Sequence, residues 1–115
     1  MKKALILMGM VCFLAAPVFA QATTALKAMI IDNESLNAHR GDLLRYVQTY
    51  TKESALRNAS TGFSLLANGK IYKLDVESNV KIEQFLKAPD STLDVIAHVQ
   101  AIGDYLSILS LRNQK

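Results

Sequence analysis

Cysteine is almost absent from this chain: one thiol, Cys12, stands in 115 residues, beside no tryptophan and two prolines. Cys12 lies inside an N-terminal apolar run. If that run is removed, no disulfide can staple the remaining chain and no thiolate can serve as nucleophile or metal ligand. Charge of one sign is missing too. The formal +3 includes Lys2 and Lys3, so from residue 21 onward 13 − 2 = 11 basic residues face 10 acidic ones. So even a balance supplies no basic footprint for nucleic acid, and no nucleic-acid partner is expected. Aromatics make up 7% of the chain, and no stacking row for sugars or bases emerges. A Gly-x-Ser-x-Gly motif is lacking as well.

What is present begins with Lys2-Lys3, an apolar run from Ala4 to Ala16, and Pro17-Val18-Phe19-Ala20. A cationic start, a short apolar core and small residues at a cleavage position form an export signal. The run is shorter than the roughly 20 apolar residues that span a bilayer, and Pro17 interrupts it. Residues 1–20 are therefore predicted to be a cleaved secretory signal, with cleavage after Ala20 or Ala22. Residues 21–115 are expected to form one small domain, periplasmic or secreted, with no membrane attachment once the signal is gone. Val11 before Cys12, in mid-run, does not suit a lipoprotein site. Asn33-Glu34-Ser35 and Asn58-Ala59-Ser60 fit the glycosylation pattern by chance in that compartment.

A first strand is predicted over Ala25–Ile31, ending at the turn-prone Asp32-Asn33. Between Ser35 and Tyr50, Leu36, Leu43, Val47 and Tyr50 recur at helical spacing, broken near Gly41, with Asp42 as an N-cap candidate. Thr51 to Thr61 is polar without a clear period and reads as a loop. Asn68-Gly69 between Phe63–Ala67 and Lys70–Leu74 is the signature of a type I′ hairpin. Its two-residue turn sets Ala67 opposite Lys70 and Leu65 opposite Tyr72, with Ser64 and Lys73 facing away from the core. A short helix follows from the caps at Asp75 and Ser78 to Ala88-Pro89. Leu93 to Gln100 alternates as a half-buried strand. Tyr105 to Leu111 alternates with a slip of phase, as a bulge or a two-sided strand allows. The expected fold is α+β, mainly β: a five-stranded OB-like barrel with an extra helix between strands 1 and 2 and a short helix between strands 3 and 4. An open α+β sheet with helices on one face is the competing architecture.

Chemistry-bearing residues gather between Asp32 and Thr61. Ser35, His39 and Asp42 fall on successive turns of one helix. A triad normally draws its members from separate elements, so no enzyme activity and no cofactor are expected. Asp32, Glu34, His39 and Asp42 could supply oxygen and nitrogen ligands to a metal, although their spacing matches no familiar motif. Solvated charges and helix caps explain the same residues. His98, beside Asp94 and Gln100, reads as an exposed strand histidine. The leading expectation is a non-catalytic binding or interaction module that meets a periplasmic protein or a cell-envelope ligand. Metal binding is the alternative.

The segments Ile30-Ile31-Asp32-Asn33, Tyr50 to Leu56, Thr61-Gly62-Phe63, Asn68 to Leu74, and Ser78-Asn79 through Phe85-Leu86 resemble a family of small exported bacterial OB-fold-like proteins of unknown function. The resemblance implies that cysteines tend to stand in relatives at the places of Ser35, Ser54 and Ser60, near a histidine around Tyr50. This chain departs from that pattern at each place. A cysteine-based metal, haem or disulfide role is therefore not implied here, and Ser35, Ser54 and Ser60 become candidates for an interaction surface.

Overall fold

The computed structural model describes residues 23–114. The expected signal over 1–20, Cys12 and both cleavage positions lie outside the described residues. In chain order the elements are β1 (Thr24–Asp32), α1 (Asn33–Ala38), α2 (Leu43–Tyr46), α3 (Lys52–Arg57), a 3₁₀ turn (Ala59–Thr61), β2 (Phe63–Ala67), β3 (Lys70–Leu74), α4 (Val76–Lys87), β4 (Asp94–Ile102) and β5 (Tyr105–Asn113). The fold is α+β, a five-stranded mixed sheet with several short helices. No helix among the described residues is long and apolar enough to cross a membrane.

Pairing starts from the hairpin. Asn68 at φ 54° and Gly69 at φ 75° supply the two positive dihedrals of a type I′ turn. Ala67 then faces Lys70, and Leu65 faces Tyr72, as the sequence predicts. β1 lies antiparallel to both β2 and β4, β4 runs antiparallel to β5, and β5 meets β3 in parallel. Each strand thus has two neighbours, and the pairing returns to β1. The phase slip in β5 is a bulge: His98 pairs with Ser110 and Val99 with Ile108, leaving Leu109 unpaired and 45% exposed.

The β3–β5 junction is short, with Lys73 beside Tyr105 and Leu74 beside Leu106. α4 takes over where the strands part. The Ile108 amide, buried, donates to Ser78 Oγ at 2.7 Å, and its carbonyl accepts from Lys81 Nζ at 2.8 Å. Side chains of a helix thereby satisfy backbone groups that would otherwise lack a strand. α4 is positioned by its own cap, since Asp75 accepts from the Ser78 amide at 2.9 Å. Hydrogen bonding from Ser78 holds the Asp75 carboxyl below its usual range, against a smaller opposing effect of burial. Asp75→Ala is expected to cost about 1 kcal/mol at neutral pH, the usual value of an N-cap. With the folded pKa depressed, that contribution is complete above the unfolded value and fades as pH falls through the folded one. Denaturant titrations at neutral and strongly acid pH check it: the gap between wild type and variant should close in acid.

The core gathers Ile30, Leu65, Phe63, Ile82, Leu86 and Val95, all essentially inaccessible. Ile30 and Ile31 are both buried although they point to opposite sides of β1. The reason is the 33–61 insertion, which covers the outer side of the strand end. Ser64, expected to face away from the core, is buried by the same insertion, and its hydroxyl donates to Asn33 Oδ1 at 2.6 Å.

The insertion corrects two sequence expectations. The helix expected over 35–50, with its break near Gly41, is indeed split there into α1 and α2, but α2 ends at Tyr46 and does not reach Tyr50. Asp42 stands at the N-cap of α2 but makes no capping bond there. The predicted loop over 51–61 contains α3 and the 3₁₀ turn. Thr51 caps α3 through the Ser54 amide, and only Ala55 is buried, too small an apolar signal to show periodicity. Lys52 fastens α3 to the far end of α4, its ammonium donating to the carbonyls of Ala88 at 3.2 Å and Ser91 at 2.9 Å. A cation among terminal carbonyls is the arrangement a helix dipole favours.

Candidate functional site

Asp32, the last residue of β1, has a fully buried side chain. One carboxylate oxygen accepts the Ser35 amide at 2.8 Å, capping α1. The other accepts the Tyr50 hydroxyl, whose oxygen in turn accepts the Asp32 amide at 2.9 Å. Burial, then the hydrogen bond to Asp32, pushes the Tyr50 phenol well above its usual range. Tyr50 therefore stays a neutral donor to a carboxylate that needs one.

Tyr46 joins this pair to the surface. Its ring lies 5.5 Å from that of Tyr50, its hydroxyl donates to Ser35 Oγ at 3.1 Å, and it stacks on His39 at 3.6 Å with the two ring planes nearly parallel. His39 Nδ1 meets Asp42 Oδ1 at 3.2 Å. Of the four proposed metal ligands, the fold brings His39 and Asp42 together. Asp32 is engaged inside, and Glu34 is exposed at the start of α1. Among the described residues no three His, Cys, Asp or Glu side chains converge as a metal site would need. Ser35 is buried beneath Tyr46, while Ser54 is half-buried, accepting from Thr51 Oγ1 at 3.1 Å, and Ser60 is exposed in the 3₁₀ turn. The three serines thus sit at three different depths. His98 is half-buried on β4 and meets Ser110 Oγ at 3.1 Å.

A second feature lies outside this cluster. Between the insertion and the outer face of β2 and β3 runs a cleft of about 390 Å³, lined among others by Asn37, Arg40, Ile71, Lys73, Asn79 and Tyr105. An adjoining cleft of about 500 Å³ shares Arg40 and Ile71 and continues past Leu44 and Arg45 to Gly69. The floor is built by strands, and one wall by the insertion. Two asparagines set the wall in place. Asn33 Nδ2 donates to the Thr61 carbonyl at 3.0 Å, and Asn79 Oδ1 accepts the Phe63 amide at 2.6 Å. Between them sits Gly62 at φ 83° and ψ 177°, where an added Cβ would lie 3.1 Å from Asn33 Nδ2 and 3.3 Å from Asn79 Oδ1.

Compared with protein-family models, with curated proteins and with solved structures, the chain gives no match. The site must therefore be read from its own chemistry.

Sequence patterning points to the 32–61 segment but singles out none of Arg40, Lys73 and Tyr105, which come from three elements far apart in the chain. Ile71 is a visible signal, an apolar residue on the face of β3 opposite the core. Helical spacing assigns Tyr50 to an apolar stripe, whereas the fold gives it to Asp32. A carboxylate followed three residues later by Ser35 does mark the cap.

Proposed function

We propose that this chain is a non-catalytic binding or interaction module of OB-like fold, periplasmic or secreted, whose partner seats in the groove between the insertion and β2–β3. The strand order β1-β2-β3-β5-β4 closing on β1, the parallel β3–β5 pair, and α4 between the third and fourth strands support the barrel reading. Met1 to Ala20 supports export. The groove is the observation on which the function rests: barrels of this kind use the face of strands 2 and 3, with the loops flanking it, to hold ligands. Here the 1–2 connection is the insertion, and the 4–5 connection delivers Tyr105. The combined volume lies within the span of ligand clefts.

Capture from a periplasmic extract tests it, using immobilised wild type and an Arg40→Glu, Tyr105→Ala double variant whose fold is checked by circular dichroism. Wild type is expected to retain a saturable partner that the variant loses. Equal capture by both, or no saturable capture at all, overturns the reading.

A further inference from the structure

We infer that the groove takes an extended acidic peptide of a partner protein, one in which carboxylates and apolar side chains take turns along the same face. The inference rests on the groove being the binding site, and adds the chemistry of what binds there.

Charge comes first. Arg40 and Lys73 line the first cleft, Arg40 and Arg45 the second, and among the described residues the one carboxylate lining either is Asp42. Asp42 is already engaged by His39 Nδ1 at 3.2 Å. Arg40 is held in place by a neutral acceptor, Asn37 Oδ1, which its Nε and Nη2 reach at 3.2 and 3.0 Å. Its guanidinium is thus oriented without being neutralised, an arrangement suited to a carboxylate.

Apolar surface alternates with that charge. Ile71 is 38% exposed, Tyr105 48% and Leu44 73%, although each is a residue that burial would favour. Ile71 and Lys73 occupy the same face of β3 two residues apart, about 7 Å along the strand. Carboxylate and apolar side chains at i and i+2 of an extended ligand repeat at that same interval. Tyr105 lies next to Lys73 across the parallel junction, so an apolar and a cationic contact stand side by side at that end. A saccharide would call for stacked aromatics and a single-stranded nucleic acid for a row of them, whereas the groove offers one tyrosine.

The probe is a fluorescein-labelled extended peptide with glutamate and leucine taking turns at every second residue and serine between them, so that both share one face, titrated into the purified protein and followed by anisotropy and amide chemical shifts. A glutamine–leucine peptide and an oligothymidylate are run in parallel. The acidic peptide is expected to bind, to shift amides around 36–45, 69–74 and 105, and to weaken as salt rises. Arg40→Gln with Lys73→Gln should weaken it by at least about tenfold and flatten its dependence on salt. Equal affinity for the glutamine peptide overturns the charge argument, tighter oligothymidylate binding overturns the ligand class, and shifts confined to another face overturn the location. A failed peptide titration alongside successful, groove-dependent capture from extract removes this inference alone.

Discussion

Tyr50→Phe is expected to lower the unfolding free energy by about 3 kcal/mol, the scale of a lost hydrogen bond to a charged group together with a buried backbone donor left unpaired. The phenol serves two atoms of Asp32, accepting from its amide and donating to its carboxylate, and phenylalanine can do neither. In a domain this small the midpoint of thermal unfolding should fall by about 15 °C. Calorimetry of Tyr50→Phe, Asp32→Ala and the double variant checks that the pair acts as a unit: the double should cost clearly less than the two singles together. Strict additivity would mean that the hydroxyl and carboxylate stabilise the fold independently. The same pair predicts an alkaline signature. Unfolded tyrosine ionises near about 10, while in the folded state burial and Asp32 raise that value. Above pH 10 the unfolded chain therefore binds fewer protons, and stability falls as pH rises. Wild type should lose stability there more steeply than Tyr50→Phe, and parallel slopes would refute the assignment.

Gly62→Ala should cost about 2–3 kcal/mol, because φ 83° with ψ 177° belongs to a region that only glycine occupies without strain. The methyl would also press on both asparagine amides that anchor the insertion, at 3.1 and 3.3 Å. Gly41→Ala is the control. Nothing lies within 4 Å of its added Cβ, so its effect should stay within about 0.5 kcal/mol. Denaturant midpoints with unchanged slopes decide between them. If Gly62→Ala matched Gly41→Ala, the return of the insertion into β2 would be looser than its geometry states.

What the sequence made legible is what local chemistry decides. Asn68-Gly69 specified its own turn and so the register of β2 and β3, and Asp75 specified the start of α4. The alternation in β4 was visible because one face of it is buried, and the slip in β5 because its apolar residues change sides around the buried Ile108. The insertion was less legible, since α1, α2 and α3 are each too short to show a period and are held by caps and long-range bonds such as Lys52 to Ser91. Asp32 looked like a surface ligand because its burial depends on Tyr50, eighteen residues away. The groove was hidden for the same reason: Arg40, Lys73 and Tyr105 meet only after the strands pair.

α4 stands in for a strand where β3 and β5 part, with Ser78 and Lys81 answering the backbone of Ile108. Lifting that helix would do more than loosen a packing contact. It would leave the Ile108 amide and carbonyl without partners at the margin of β5, the kind of open edge that invites pairing with another copy of the chain. Self-association of this protein should therefore begin from the state in which α4 has come away, before the strands themselves have melted.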